Sequence, residues 1–169
     1  MRTFLNGLYV ASGLLAALFL AAIGVAVMTQ VVGRALGAPL DATELSGFFM
    51  AAATFLGLAY TFREGGHIRI GLLVTRMSGR PRKAIELWSC LVGASLAGYA
   101  AIHAVFFVYE SYEFNDVSPG LLAIPFWIPQ CGMALGLIIL TIALLDAAWD
   151  VANGRPAGYE KNDDAILSE

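Results

Sequence analysis

Four long apolar runs decide what this chain can fold into. They cover roughly residues 8–32, 45–62, 87–109 and 127–145. Each has about 18 residues or more, enough for a helix rising 1.5 Å per residue to cross a hydrocarbon core of about 30 Å. Helices are required because lipid offers no partner to backbone N–H and C=O groups. The period-2 alternation that a membrane barrel needs is absent. Composition agrees, since 59% of the 169 residues are hydrophobic and only 14% are charged, with a mean hydropathy of +0.73. A soluble domain of this size has too much surface per volume to hide that much apolar side chain. Arg2 before the first run and Ala35–Ala38 after it are flanks a cleaved signal peptide would also have. The run exceeds the roughly 7–15 residues of a signal core, so it is read as a retained helix.

Orientation follows from lysine and arginine. The second connection holds Arg63, Arg69, Arg76, Arg80, Arg82 and Lys83, six of the ten basic residues. The first connection has Arg34 alone against Asp41 and Glu44, and the third has Glu110, Glu113 and Asp116 with no basic residue. The positive-inside rule then predicts an all-α integral membrane protein of four transmembrane helices with both termini cytoplasmic. The whole chain is one membrane domain, and residues 153–169 are expected to form a mobile cytoplasmic tail. The net charge of −3 gives no reason to expect nucleic acid; the useful quantity is the asymmetry between the two faces.

The connections carry local signals. Gly33 to Leu40 closes the first helix with Gly and Pro. Asp41-Ala-Thr-Glu44 has the pattern of a capping box, with Asp41 accepting from first-turn amides and Glu44 reaching back. After the second span, Ile70, Leu73, Val74 and Met77 fall at helical spacing, with Arg69, Arg76 and Arg80 on another face. That predicts a short amphipathic helix lying in the headgroup layer between spans two and three. In Ile124 to Gln130 two prolines interrupt any continuous helix, and Pro129 suits a first turn. Trp127, opposite in the chain to Trp88 at the start of span three, is placed at an interface.

Chemistry inside the spans is sparse. Cys90 and Cys131, the two cysteines, are expected near opposite ends of their spans, far beyond the ~4.4–6.8 Å Cα spacing of a disulfide; no CxxC is present. His67 and His103 are at different depths and cannot ligate one iron. His103 shares a face with Tyr99, Phe106 and Glu110, and a hydrogen bond to a neighbouring helix or subunit is the reading given to it. No run has an acidic residue at its centre, as Glu44, Glu110 and Asp146 all sit at ends. The chain therefore lacks the buried carboxylate or broken helix that a self-sufficient transporter uses. Small residues are plentiful: Gly132 and Gly136 form a GxxxG, Ala51, Ala52, Ala53 and Gly57 line span two, and Gly93, Ala94, Ala97 and Gly98 line span three. These faces serve either internal packing or another protein.

Three stretches carry a family resemblance. They are Glu44-Leu45-Ser46 opening span two, Arg63-Glu64-Gly65-Gly66-His67-Ile68-Arg69-Ile70 after it, and Trp127-Ile128-Pro129-Gln130 opening span four. Together with size and span order, they resemble the small membrane subunit of tripartite ATP-independent periplasmic (TRAP) transporters, the DctQ-like family. Ala134 departs from the Pro that many relatives have there. The resemblance implies residence in a bacterial inner membrane. It also implies a soluble periplasmic binding protein that captures an organic acid and a large multispanning permease that moves it by a sodium-coupled elevator motion. In that family the small subunit packs on the stationary scaffold, helps receive the loaded binding protein, and uses no cofactor or sodium site of its own. The partner-contact candidates are then Glu44, Arg63, Gly65, Gly66, His67, Arg69, Trp127, Pro129 and Gln130, with lipids as the remaining partners. The competing reading is an autonomous four-helix redox or cofactor protein using His103 or the cysteines.

Overall fold

A computed structural model describes residues 2–38, 41–64, 80–120 and 122–154. The described residues form four helices: α1 (Arg2–Ala35), α2 (Thr43–Arg63), α3 (Arg80–Glu113) and α4 (Trp127–Ala152). All four are long and apolar enough to cross a membrane. The predicted surface helix around residues 70–79, and the tail beyond Gly154, lie outside the described residues. The helices outrun the apolar runs that announced them. At 34 residues each, α1 and α3 are about 51 Å long, against about 31 Å for α2. An apolar run marks where lipid is, and a helix continues past it wherever good helix formers follow. At the start of α3 the Arg82 Nε donates to Glu86 Oε1 at 2.9 Å across one turn, a pair of a few tenths of a kcal/mol.

The helices form a row one helix thick, in the order α1, α2, α4, α3, with α1 touching α4 only slightly. Among the described residues α3 packs on α4 alone. This is not a closed bundle, and small residues explain how the row holds. On α4, Gly132 sits against Ala52 and Gly136 lies directly on the backbone of Phe55 and Leu56, so close that a Cβ there would collide with it. The two helices run in the same direction, and the GxxxG is used inside the chain. On α3, Cys90, Ala94, Ala97, Ala101, Ala104 and Ser111 are buried. Their spacing of mostly three and four residues is the seam of a left-handed pair. That seam meets α4 through Gly93 on Leu144, Gly98 on Thr141, and Cys90 among Ala147, Ala148 and Val151.

The α1–α2 seam combines apolar and polar contact. Tyr9, Ala59 and Ala143 cluster, the Tyr60 ring covers Gly13, and Gly57 meets Ala16. The buried Ser12 hydroxyl donates to the Leu56 carbonyl at 2.9 Å, bridging two helices where lipid offers no alternative partner. At its far end α1 closes as expected. Gly37 takes φ +79, Ala38 N donates to Gly33 O at 2.9 Å and Gly37 N to Arg34 O at 3.3 Å. That is the double bond pattern of a left-handed helix cap.

Between α3 and α4 the chain is pinned by a β-bridge between Val117 and Pro125. Ser118 N donates to Ile124 O and Phe126 N to Asp116 O, both at 2.9 Å. Asn115 (φ 52) and Ala123 (φ 44) adopt the left-handed conformation there, which for alanine is uncommon and held by its surroundings.

The Gly136 contact generates a test. Gly136→Leu should lower the melting temperature in detergent by the equivalent of about 1–3 kcal/mol, the usual range for overpacking. Gly24→Leu, where nothing lies within 4 Å, should leave it unchanged. Equal effects at the two positions would show that the α2–α4 approach is not limiting.

Candidate functional site

The candidate residues separate into two groups at opposite ends of the row. Glu44 and Arg63 stand 19 residues apart on one helix, about 28 Å along its axis. Trp127, Pro129 and Gln130 join Glu44 at one end; Arg63 marks the other. Gly65, Gly66, His67 and Arg69 lie outside the described residues.

At the Glu44 end the capping box is only half formed. Thr43 N donates to Asp41 Oδ1 at 3.0 Å, but α2 has Ala42 at its N-cap, with no side-chain bond there. Glu44 does not reach back. Its carboxylate is turned onto Gly120, where a side chain would land on it. The capping pattern is local, whereas Glu44 obeys a contact with a loop some 76 residues downstream (120 − 44). Glu44 Oε1 is buried with no hydrogen-bond partner among the described residues, as are Ser46 Oγ, Ser118 Oγ and Gln130 Oε1. Such orphaned groups cost about 1–3 kcal/mol each unless a donor arrives. Aromatic pairs brace this end, with Phe48 on Phe126 at 6.1 Å and Tyr112 edge-on to Trp127 at 5.9 Å. Pro129 occupies the first turn of α4, where its missing N–H is not needed.

At the opposite end Arg63, in the last turn of α2, lays its guanidinium over the Tyr9 ring, 5.4 Å from the centroid. A cation on an aromatic face is worth more as water is withdrawn, and Tyr9 is only 2% exposed. Asp146 is within electrostatic range of the same phenol, and Asp150, one turn on, is buried. Helix α4 thus carries two carboxylates past the point where its apolar run stops at residue 145.

The cysteines stand apart. Cys90 packs on Ala147 and Ala148, about 24 Å along α4 from Cys131, and neither is in a disulfide. His103 is exposed on α3, its ring 4.3 Å from that of Tyr99. Because α3 packs only on α4, and through a different face, no second helix of this chain reaches His103 among the described residues. The hydrogen bond expected from His103 to a neighbouring helix thus has no partner helix among the described residues. Among the described residues no three His, Cys, Asp or Glu side chains gather as metal ligands would. Sequence reasoning passed over Gly120, Tyr9 and Ser12 as contacts. The signals were present, a Gly after Ser118-Pro119 and two polar groups in an apolar helix, but nothing local names their partners.

The family described as tripartite ATP-independent periplasmic transporters, DctQ component, matches residues 23–154. The chain is 28% identical over 96 residues to the C4-dicarboxylate TRAP transporter small permease protein DctQ of Rhodobacter capsulatus, covering 57% of this chain and 42% of that protein. It is also 28% identical over 123 residues to the ectoine TRAP transporter small permease protein TeaB of Halomonas elongata, covering 72% and 63% respectively. Both matches span less than two thirds of the relative's length. No solved structure matches the chain.

Two outcomes are expected at the Glu44 end. Gly120→Val should destabilise the chain in detergent by about 1–3 kcal/mol, and Glu44→Ala by less, because the carboxylate it removes has an acceptor with no donor among the described residues. The double variant should cost less than their sum, because both remove one contact; strict additivity would mean that the two do not share it. The Asp41 carboxyl is held below its ordinary 3.8 by the Thr43 N–H and hydroxyl, with Arg34 adding to it. A lowered folded value contributes stability above the unfolded one, lost as pH falls through the folded value. The cost of Asp41→Ala should thus be constant between about pH 5 and about pH 8 and disappear on acidification below 3.8.

Proposed function

The chain belongs to the DctQ component family of tripartite ATP-independent periplasmic transporters, and from that premise we propose that it is the small permease subunit of such a transporter. In this reading it lies in a bacterial inner membrane with both termini cytoplasmic. It stiffens the stationary part of a large elevator-type permease and helps receive a periplasmic binding protein. The complex takes up an organic acid at the expense of a sodium gradient, while this chain binds neither sodium nor a cofactor and performs no catalysis. The curated relatives named above carry C4-dicarboxylate and ectoine in their names, and a small carboxylate-bearing solute is the substrate class proposed for this chain.

The observation that carries the reading is the open row. Among the described residues the layer is one helix thick, with no interior in which to enclose a solute, and it leaves broad apolar faces on α1 and α3. Such a shape widens a larger membrane protein. The orphaned acceptors at Glu44, Ser46, Ser118 and Gln130 ask for donors that a partner can supply. Among the described residues the cysteines, about 24 Å apart along α4, and the exposed His103 are not brought together.

The test is co-purification and reconstitution. A tagged chain should bring down a much larger multispanning permease with no visible absorbance. Sodium-driven uptake in proteoliposomes should need both subunits and the binding protein. Replacing Arg63 and His67 together by Ala should weaken the complex or uptake at least several-fold. Recovery of the chain alone with bound haem or quinone would overturn the reading, as would full uptake without it.

A further inference from the structure

Helices α1 and α2 touch through their Tyr9–Phe19 and Phe49–Tyr60 stretches, and beyond that they part. The Phe19 and Phe49 rings meet at 5.7 Å, and from there toward the Glu44 end a groove of about 540 Å³ opens between the helices. Leu18, Ala22 and Ala26 on one side and Leu45 and Phe49 on the other make its walls; Thr29, Gln30 and Asp41 stand at its mouth. From Leu18 to Gln30 it runs 12 residues along α1, about 18 Å. That is close to one leaflet, half of a hydrocarbon core of about 30 Å. Arg34 follows Gln30 by one turn, lines an adjoining groove with it and acts on the Asp41 carboxylate, so one positive and one negative group flank the mouth.

We propose that this groove is a phospholipid site, holding one acyl chain against Ala22 and Ala26 and the headgroup of a primary-amine lipid, phosphatidylethanolamine, between Arg34 and Asp41. The apolar floor closed by two aromatic rings, the one-leaflet length and the polar mouth are the shape of a single lipid tail under its headgroup. The phosphate lies on the Arg34 guanidinium and the ammonium donates to the Asp41 carboxylate. A transmembrane helix is the wrong occupant. Over the same length its cylinder, about 10 Å across, needs roughly 1,400 Å³ and would rest on the groove without entering it. An anionic headgroup would meet Asp41 with like charge, and a quaternary amine has no N–H to donate. The site stands on α1 and α2 alone and does not depend on the transport role.

Native mass spectrometry of the full chain, released from detergent with phosphatidylethanolamine, phosphatidylglycerol or phosphatidylcholine added, tests it. One retained phosphatidylethanolamine per chain is expected, preferred over phosphatidylglycerol roughly fivefold, the scale of one headgroup charge near a surface. Ala22→Trp should abolish retention with helicity and melting unchanged. Asp41→Asn, which keeps an acceptor for Thr43 N, should keep binding but erase the preference. A photo-crosslinker in place of Ala22 should give a lipid adduct in native membranes. Graded adducts with all three lipids that ignore both substitutions would overturn the proposal, and so would a crosslink from that position to another polypeptide.

Discussion

The approach of Gly136 to the backbone of Phe55 and Leu56 is the contact on which the rest of the layer depends. It sets the spacing of α2 and α4, the two central helices, and each of these carries one outer helix on its far side. In water such a row would collapse, since broad apolar faces would be driven together. In lipid that driving force is missing, and what decides neighbours is how closely two backbones can come. Small side chains are therefore the determinants of this fold: glycine and alanine at the α2–α4 crossing, alanine and cysteine along α3, and Gly13 under Tyr60 on α1.

Polar groups are placed by the same scarcity of partners. Ser12 is satisfied because a carbonyl of α2 lies beside it, and Arg63 finds an aromatic face. At the other end, Glu44, Ser46, Ser118 and Gln130 retain buried acceptors without donors. Among the described residues four of the five orphaned side-chain atoms gather at that rim and the fifth, the Tyr9 hydroxyl, lies near Arg63 at the opposite end, as befits a component that is finished by contact with something else.

Much of this was legible in the sequence, and its limits are physical. The four spans followed from the runs themselves, because nothing else can be done with so many apolar residues. Helix ends were less legible: an apolar run reports the depth of lipid, whereas α3 begins at Arg80 and α4 continues through Asp146 and Asp150, where helix propensity and local pairs decide. At Glu44 the local pattern suggested a cap, and the loop at Gly120 claimed its carboxylate instead. The order of the row was not legible at all. Alanines and glycines stripe every helix, including unused ones such as Gly24, so their presence could not say which helix meets which.

The row also has a particular connectivity. Helices α1 and α2 are adjacent in sequence and in space, and so are α3 and α4; of the three main seams only α2–α4 joins distant parts of the chain. The layer is thus two helical hairpins in tandem. The first can zip up, with Ser12 on Leu56, before the ribosome has made residue 136, and the second is closed by its own bridge at Val117 and Pro125. Biogenesis then reduces to delivering two self-contained hairpins to the bilayer and letting them slide together sideways, with a single docking step left for the membrane to accomplish.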